Sequence, residues 1–189
     1  ALYKKKDYQV ALDKFNQLDL GESEKNRLLY NFEKAILLDR NNKLQASRKL
    51  LMRSEKISTE LYTKSISKEI TTYLVNEASQ EYSGENYELI SVHTMLALSF
   101  LEDRDLSAAG VEARKINSKL REITNSLGSK HNSWREDAFA RYLSGMIFEA
   151  RGELDSAIID YKKTLKILNN KNYKKFYRGN PSKQVAQAL

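Results

Sequence analysis

Residues 140–165, ARYLSGMIFEARGELDSAIIDYKKTL, constrain the fold most. Before them and through them, Ala138, Tyr142 and Met146 run beside Phe139, Leu143 and Ile147 at the three-and-four spacing of a helix. Gly152 interrupts the period, and a second helical pattern follows in Leu154, Ala157, Ile158, Tyr161, Leu165 and Leu168. Two helices joined by so short a turn lie antiparallel and close. Gly145 on the first and Ala157 on the second are the small residues that let the backbones approach. Gly145 gives up about 1 kcal/mol of helix propensity relative to Ala for that approach.

Related spacing is found upstream. Ala97 and Ala109 are again twelve apart, with Phe100 and Ala113 in the matching places. In KKDYQVALDKFNQL, Asp7, Tyr8, Ala11 and Phe15 read as a second helix whose first helix is missing or precedes residue 1. In NKLQASRKLL, Ala46 and Leu50 fit behind the helical LLYNFEKAILL, with Ala35 one place out of register. Taking Ala11, Ala46, Ala109 and Ala157 as the second-helix positions leaves room for insertions. One is an amphipathic segment, Ile57, Leu61, Ile66, Ile70, Tyr73, Leu74 and Ala78, read as an extra helix over 58–81 with Ser58 or Thr59 as its cap. Another is the polar loop NSLGSKHNSW, residues 125–134.

The best pair resembles the tetratricopeptide repeat through Gly145, Phe148, Gly152, Ala157 and Tyr161. It departs from that pattern at Arg141, where the repeat has Trp, at Thr164, where it has Ala, and at Asn169, where it has Pro. The resemblance implies an all-α, tetratricopeptide-like helix-pair solenoid with an inserted extra helix. Residues 1–169 form the degenerate repeat domain, and 170–189 form a basic loop and the start of a further helix at PSKQVAQAL, with Pro181 or Ser182 at its first turn.

Composition agrees with helix. The 189 residues include one proline and seven glycines, with 30% charged and 41% hydrophobic residues. No run of eighteen apolar residues offers a membrane span. Cysteine is absent, which excludes disulfides and thiolate metal sites. The chain begins at Ala1 without a leader pattern and reads as a mature or trimmed piece. Its net charge of +7 belongs to the C-terminal end, because from Tyr161 to Leu189 there are eight Lys or Arg and no acidic residue.

A second resemblance lies in EYSGENYELISVHTMLALSFLEDRDLSAAGVEARKIN. Tyr82, Gly84, Tyr87 and Glu88, then Ala97, Leu98 and Leu101, then Val111, Glu112, Ala113 and Arg114 are similar to the core of a family of bacterial envelope lipoproteins with tetratricopeptide-like repeats. With the following repeat and the closing NPSKQVAQAL, the resemblance spans about residues 80–189. It implies an exported, lipid-anchored protein on the periplasmic side of the envelope, with no established activity. The anchor would lie outside these residues.

Motifs for chemistry are missing. His93 and His131 have no metal-ligand spacing and read as packing or surface residues. No GxSxG and no glycine-rich phosphate loop occurs. Glu102, Asp103 and Asp105 cluster at a turn; over a metal or acid-base site, the favoured reading is that Asp103 and Asp105 serve the N–H groups at the start of the next helix. Glu112 and Arg114 face different directions on one helix and read as buried or inter-repeat ion-pair partners. The reading is a protein with no enzymatic activity and no cofactor or metal.

Two binding surfaces are foreseen. In a solenoid the first helix of each pair lines the concave side. The positions concerned are Phe139, Tyr142, Met146 and Glu149 in the best pair, and Ser91, Thr94, Leu98 and Leu101 in the one before. A row of large apolar side chains there suits a partner helix or peptide, unless the extra helix fills the groove itself. The second surface is KILNNKNYKKFYRGNPSK, where Lys171, Lys174, Lys175, Arg178 and Lys183 interleave with Tyr173, Phe176 and Tyr177. Such a segment serves anionic lipid, an acidic partner or nucleic acid, or is a solvated loop with its aromatics packed on the last helix. The expected function is that of a non-catalytic scaffold or adaptor in a multi-protein envelope complex. The alternative is binding of an anionic polymer or membrane surface through the basic segment.

Overall fold

The computed structural model describes residues 7–18, 24–69, 81–126, 136–174, 183 and 185–186, and among them there is no strand. The helices are α1 (Tyr8–Asn16), α2 (Arg27–Arg40), α3 (Leu44–Glu69), α4 (Asn86–Glu102), α5 (Leu106–Ser126), α6 (Ala138–Ala150), α7 (Leu154–Asn169) and α8 (Lys171–Lys174), with a 3₁₀ turn at Glu24–Asn26. The chain divides into two compact units, Ala1–Val92 and His93–Leu189, with the division inside α4.

One kind of turn recurs in α2–α3, α4–α5 and α6–α7. Each pair bends at a residue with left-handed backbone: Asn42 (φ 61°), Arg104 (φ 58°) and Gly152 (φ 76°). The next N–H then reaches back to the carbonyl five residues earlier. Lys43 donates to Leu38 at 2.9 Å, Asp105 to Phe100 at 2.9 Å and Glu153 to Phe148 at 2.8 Å. This closure satisfies carbonyls that a helix end leaves free. Counting from the turns, a small buried residue stands at the same place on each first helix (Ala35, Ala97, Gly145) and on each second helix (Ser47, Ala109, Ala157).

That common register corrects the sequence reading of the first pair. Ala46 is exposed, and Ser47 is the buried residue, its hydroxyl donating to the Ala35 carbonyl at 2.8 Å. Ala35 is therefore in register with Ala97 and Gly145. In α1, likewise, Leu12 is buried and Ala11 only half-buried. The expected helix start at Ser58 or Thr59 is also corrected, because α3 runs unbroken from Leu44 to Glu69. Thr59 donates back to the Glu55 carbonyl, an interior helix contact that competes with capping. Residues 70–80 of the expected extra helix lie outside the described residues. The polar loop begins later than expected, since α5 continues to Ser126.

In the first unit α1 packs on α2 through Leu12, Leu37 and Leu38, with Ala11, Phe15 and Leu50 beside them. Leu28, Ile57 and Leu61 form a second cluster with Leu89. The turn before α4 is tied down: Tyr82 N–H donates to the Lys25 carbonyl at 2.8 Å, and its hydroxyl donates to the Glu88 carboxylate. Glu88 also accepts from the Glu85 N–H at 2.8 Å, so it closes the N-terminus of its own helix.

The second unit holds the larger cluster, built from Ala97, Ala109, Ala113, Leu143, Ile147, Phe148, Ala157 and Tyr161. Gly145 decides the α6–α7 approach, since a methyl group there would lie 2.7 Å from Tyr161 Cε1. A further cluster joins Ala138, Ile167, Leu168, Tyr173 and Val185, so residues after α7 pack back on α6 and α7.

Candidate functional site

Asp137 starts α6 by accepting the Ala140 N–H at 2.9 Å. The helix then presents Phe139, Tyr142, Met146 and Glu149 at spacings of three and four, along one side. Their fates differ. Phe139 is 57% exposed and Met146 46%. Tyr142, between them, is half-buried against the core cluster and tilts over Tyr161 with ring centroids 5.6 Å apart. Glu149 is exposed and accepts a 2.5 Å hydrogen bond from the Tyr161 hydroxyl. Burial, reinforced by that carboxylate, raises the Tyr161 pKa well above the usual phenol range.

On α4, Leu98 is 38% exposed while Leu101 packs against the same cluster as Tyr142. Ser91 is half-buried and Thr94 buried. Leu98 and Met146 each follow the small crossing residue of their pair, so equivalent register places carry exposed apolar side chains. The six groove residues named from the sequence thus divide. Leu98, Phe139, Met146 and Glu149 face solvent; Leu101 and Tyr142 are largely spent on the core.

The basic segment is less uniform than its sequence. Lys171 and Lys183 are exposed. Tyr173 is 8% exposed within a hydrophobic cluster, so its ring offers no stacking face for a base. Lys174 lies in α8, but its side chain, with Lys175, Phe176, Tyr177 and Arg178, lies outside the described residues. So does His131.

Other residues singled out from the sequence have structural partners. His93 is buried, and its Nδ1 donates to the Glu112 carboxylate at 2.8 Å. Asp105 accepts from the Ala108 N–H at 2.9 Å at the start of α5. Arg114 bridges to Glu153 at 2.8 Å and holds its guanidinium 5.8 Å from the Phe148 ring centre.

A polar network in the second unit was not anticipated. Arg141 is 2% exposed and donates to Glu136 at 2.8 Å, to Asp160 at 3.2 Å and to the Asn117 side-chain oxygen. Asn117 in turn donates to Asp160 at 2.6 Å. These residues come from α5, α6, α7 and the segment just before α6, and no local sequence pattern joins them. One signal was available: Arg141 and Asp160 are nineteen residues apart, as are His93 and Glu112.

Comparison of the chain with protein-family models, with curated proteins and with solved structures finds no match. No helix among the described residues is long and apolar enough to cross a membrane.

Proposed function

We propose that this chain is a non-catalytic scaffold or adaptor of a bacterial envelope complex, and that the α4 and α6 face of the second unit seats a helix of a protein partner. The reading takes the helix pairs as a tetratricopeptide-like solenoid, whose first helices line the binding side. The observation that carries it is the exposure of Leu98, Phe139 and Met146 on those two helices. Large apolar side chains left in water at equivalent places of successive pairs are costly unless a partner covers them. An amphipathic helix, with anchors every three or four residues, matches that spacing. The envelope setting, on the periplasmic side and lipid-anchored outside these residues, rests on the likeness of residues 80–189 to the envelope lipoproteins.

The test is affinity capture from detergent-solubilised cells, with and without nuclease, comparing wild type with Leu98→Ala/Phe139→Ala/Met146→Ala. A stoichiometric set of envelope proteins, indifferent to nuclease and lost with the triple variant, supports the proposal. Capture that survives the triple variant rejects the face. A nuclease-sensitive set that depends on Lys171 and Lys183 transfers the function to the basic segment.

A further inference from the structure

Away from the groove residues, α5 and α7 border an open cavity of about 320 Å³ lined by Arg114, Asn117, Ser118, Arg121, Phe148, Ser156, Ile159, Asp160 and Lys163. Helical spacing assembles it. Asn117, Ser118 and Arg121 follow Arg114 along one side of α5, while Ser156, Ile159, Asp160 and Lys163 do the same on α7. Its volume is that of a small-ligand site.

The charges in and around this cavity do not cancel. Asp160 and Glu136 share the Arg141 guanidinium, which leaves one negative charge between them. Arg114 and Arg151 share Glu153. Arg121 and Lys163 remain, and neither forms an ion pair with a carboxylate among the described residues. Burial lowers the Lys163 pKa, and the positive charges of Arg141 and Arg121 lower it further, against the pull of Asp160 and Glu136. The hydroxyls of Ser118 and Ser156 also have no protein partner among the described residues. Phe148 and Ile159 supply an apolar wall.

We propose that this cavity binds a small soluble phosphomonoester, its phosphate held by Arg121, Lys163, Ser118 and Ser156 and its organic body against Phe148 and Ile159. The charge decides the class. A phosphomonoester carries close to two negative charges and three acceptor oxygens, matching two cations that make no ion pair among the described residues and two hydroxyl donors. A carboxylate carries one charge and would leave a cation uncompensated.

Phenyl phosphate is the probe, titrated into the isotopically labelled full chain and followed by amide chemical shifts. The expected result is saturable movement at Ser118, Arg121, Ser156 and Lys163, with benzoate binding more weakly. Arg121→Gln/Lys163→Gln should weaken phenyl phosphate about tenfold or more, the loss of charge-assisted hydrogen bonds. Lys166→Gln, an exposed cation on α7 outside the cavity, should leave the affinity unchanged. Circular dichroism of the double variant verifies its helicity. Shifts that never saturate, benzoate binding as tightly as phenyl phosphate, or equal affinity in the double variant would each overturn the proposal. Retention on phosphatidic acid vesicles that phenyl phosphate does not displace would overturn it in favour of a membrane ligand.

Discussion

Arg141 on α6 meets Asp160 on α7 at 3.2 Å with both side chains 2% exposed, and His93 on α4 meets Glu112 on α5 in the same register. Arg141 stands four residues before Gly145, and His93 four before Ala97. Asn31 occupies that place before Ala35 and is buried as well, but Leu50 stands where the carboxylate would be. Two of the three helix pairs are thus closed by a buried cationic or imidazole group against an acid.

Arg141→Leu should be among the most damaging single changes. It strands Asp160 and Asn117 in a buried site, a loss on the order of 3–5 kcal/mol. Arg141→Leu/Asp160→Leu should recover much of that, because the orphaned charge is gone. Urea denaturation followed by circular dichroism measures both. A double variant no more stable than the single one would show that the pair is not the cause.

The two acids should respond oppositely to pH. Burial pushes Glu112 up, but hydrogen bonds from His93 and Lys115, with their charges, bring it below the ordinary carboxylate range. Its stabilising contribution is therefore present above the unfolded pKa of about 4.3 and is lost as pH falls toward the lower folded value. Burial raises Asp160, and the Asn117 hydrogen bond and Arg141 charge only partly oppose it. A raised carboxyl costs stability when ionised, and acidification relieves that cost. Between about pH 6 and pH 3, wild type should lose its advantage over Glu112→Gln and gain relative to Asp160→Asn. Denaturation midpoints across that range provide the readout, and parallel curves would contradict the assignment.

Gly145→Ala should destabilise even though alanine is the better helix former by about 1 kcal/mol. The added methyl meets the Tyr161 ring at 2.7 Å, and that ring is held by Glu149 and Tyr142. Overpacking of this kind costs about 1–3 kcal/mol. In a Tyr161→Leu background the same change should cost much less, which thermal unfolding of the four proteins would reveal.

Arg104→Gly should stabilise. Arg104 is exposed and holds a left-handed backbone at φ 58°, where glycine meets no Cβ penalty. The gain is about 1 kcal/mol, visible as a rise of a few degrees in Tm. Arg104→Ala keeps the penalty and should give no such rise. At Gly152 the reasoning runs in reverse: the space is open but φ is 76°, so Gly152→Ala should destabilise through backbone strain alone.

Much of the fold was readable where small residues and periodicity coincide. Gly145, Gly152 and Ala157 marked the α6–α7 pair, and Ala97 with Ala109 marked α4–α5. The first pair misled because Ser47 does a small residue's work beside a more conspicuous alanine. Ser58 and Thr59 resembled caps because hydroxyl residues suit both helix starts and back-bonded helix interiors. Of the candidate sites, the apolar side of α6 was legible from spacing alone. Spacing did not reveal that Tyr142 and Leu101 are taken up by the core, since that depends on what α5 and α7 bring against them. The cavity between α5 and α7 was hidden for the same reason, its cations being ordinary surface residues in each helix considered singly.

The shared turn at Asn42, Arg104 and Gly152 also has a kinetic meaning. Each pair meets through residues only about a dozen positions apart, so closing it costs little loop entropy. Contacts of such short range favour rapid folding. During synthesis α2 can dock on α3 long before α6 exists, and each later pair can close as soon as its own second helix has emerged.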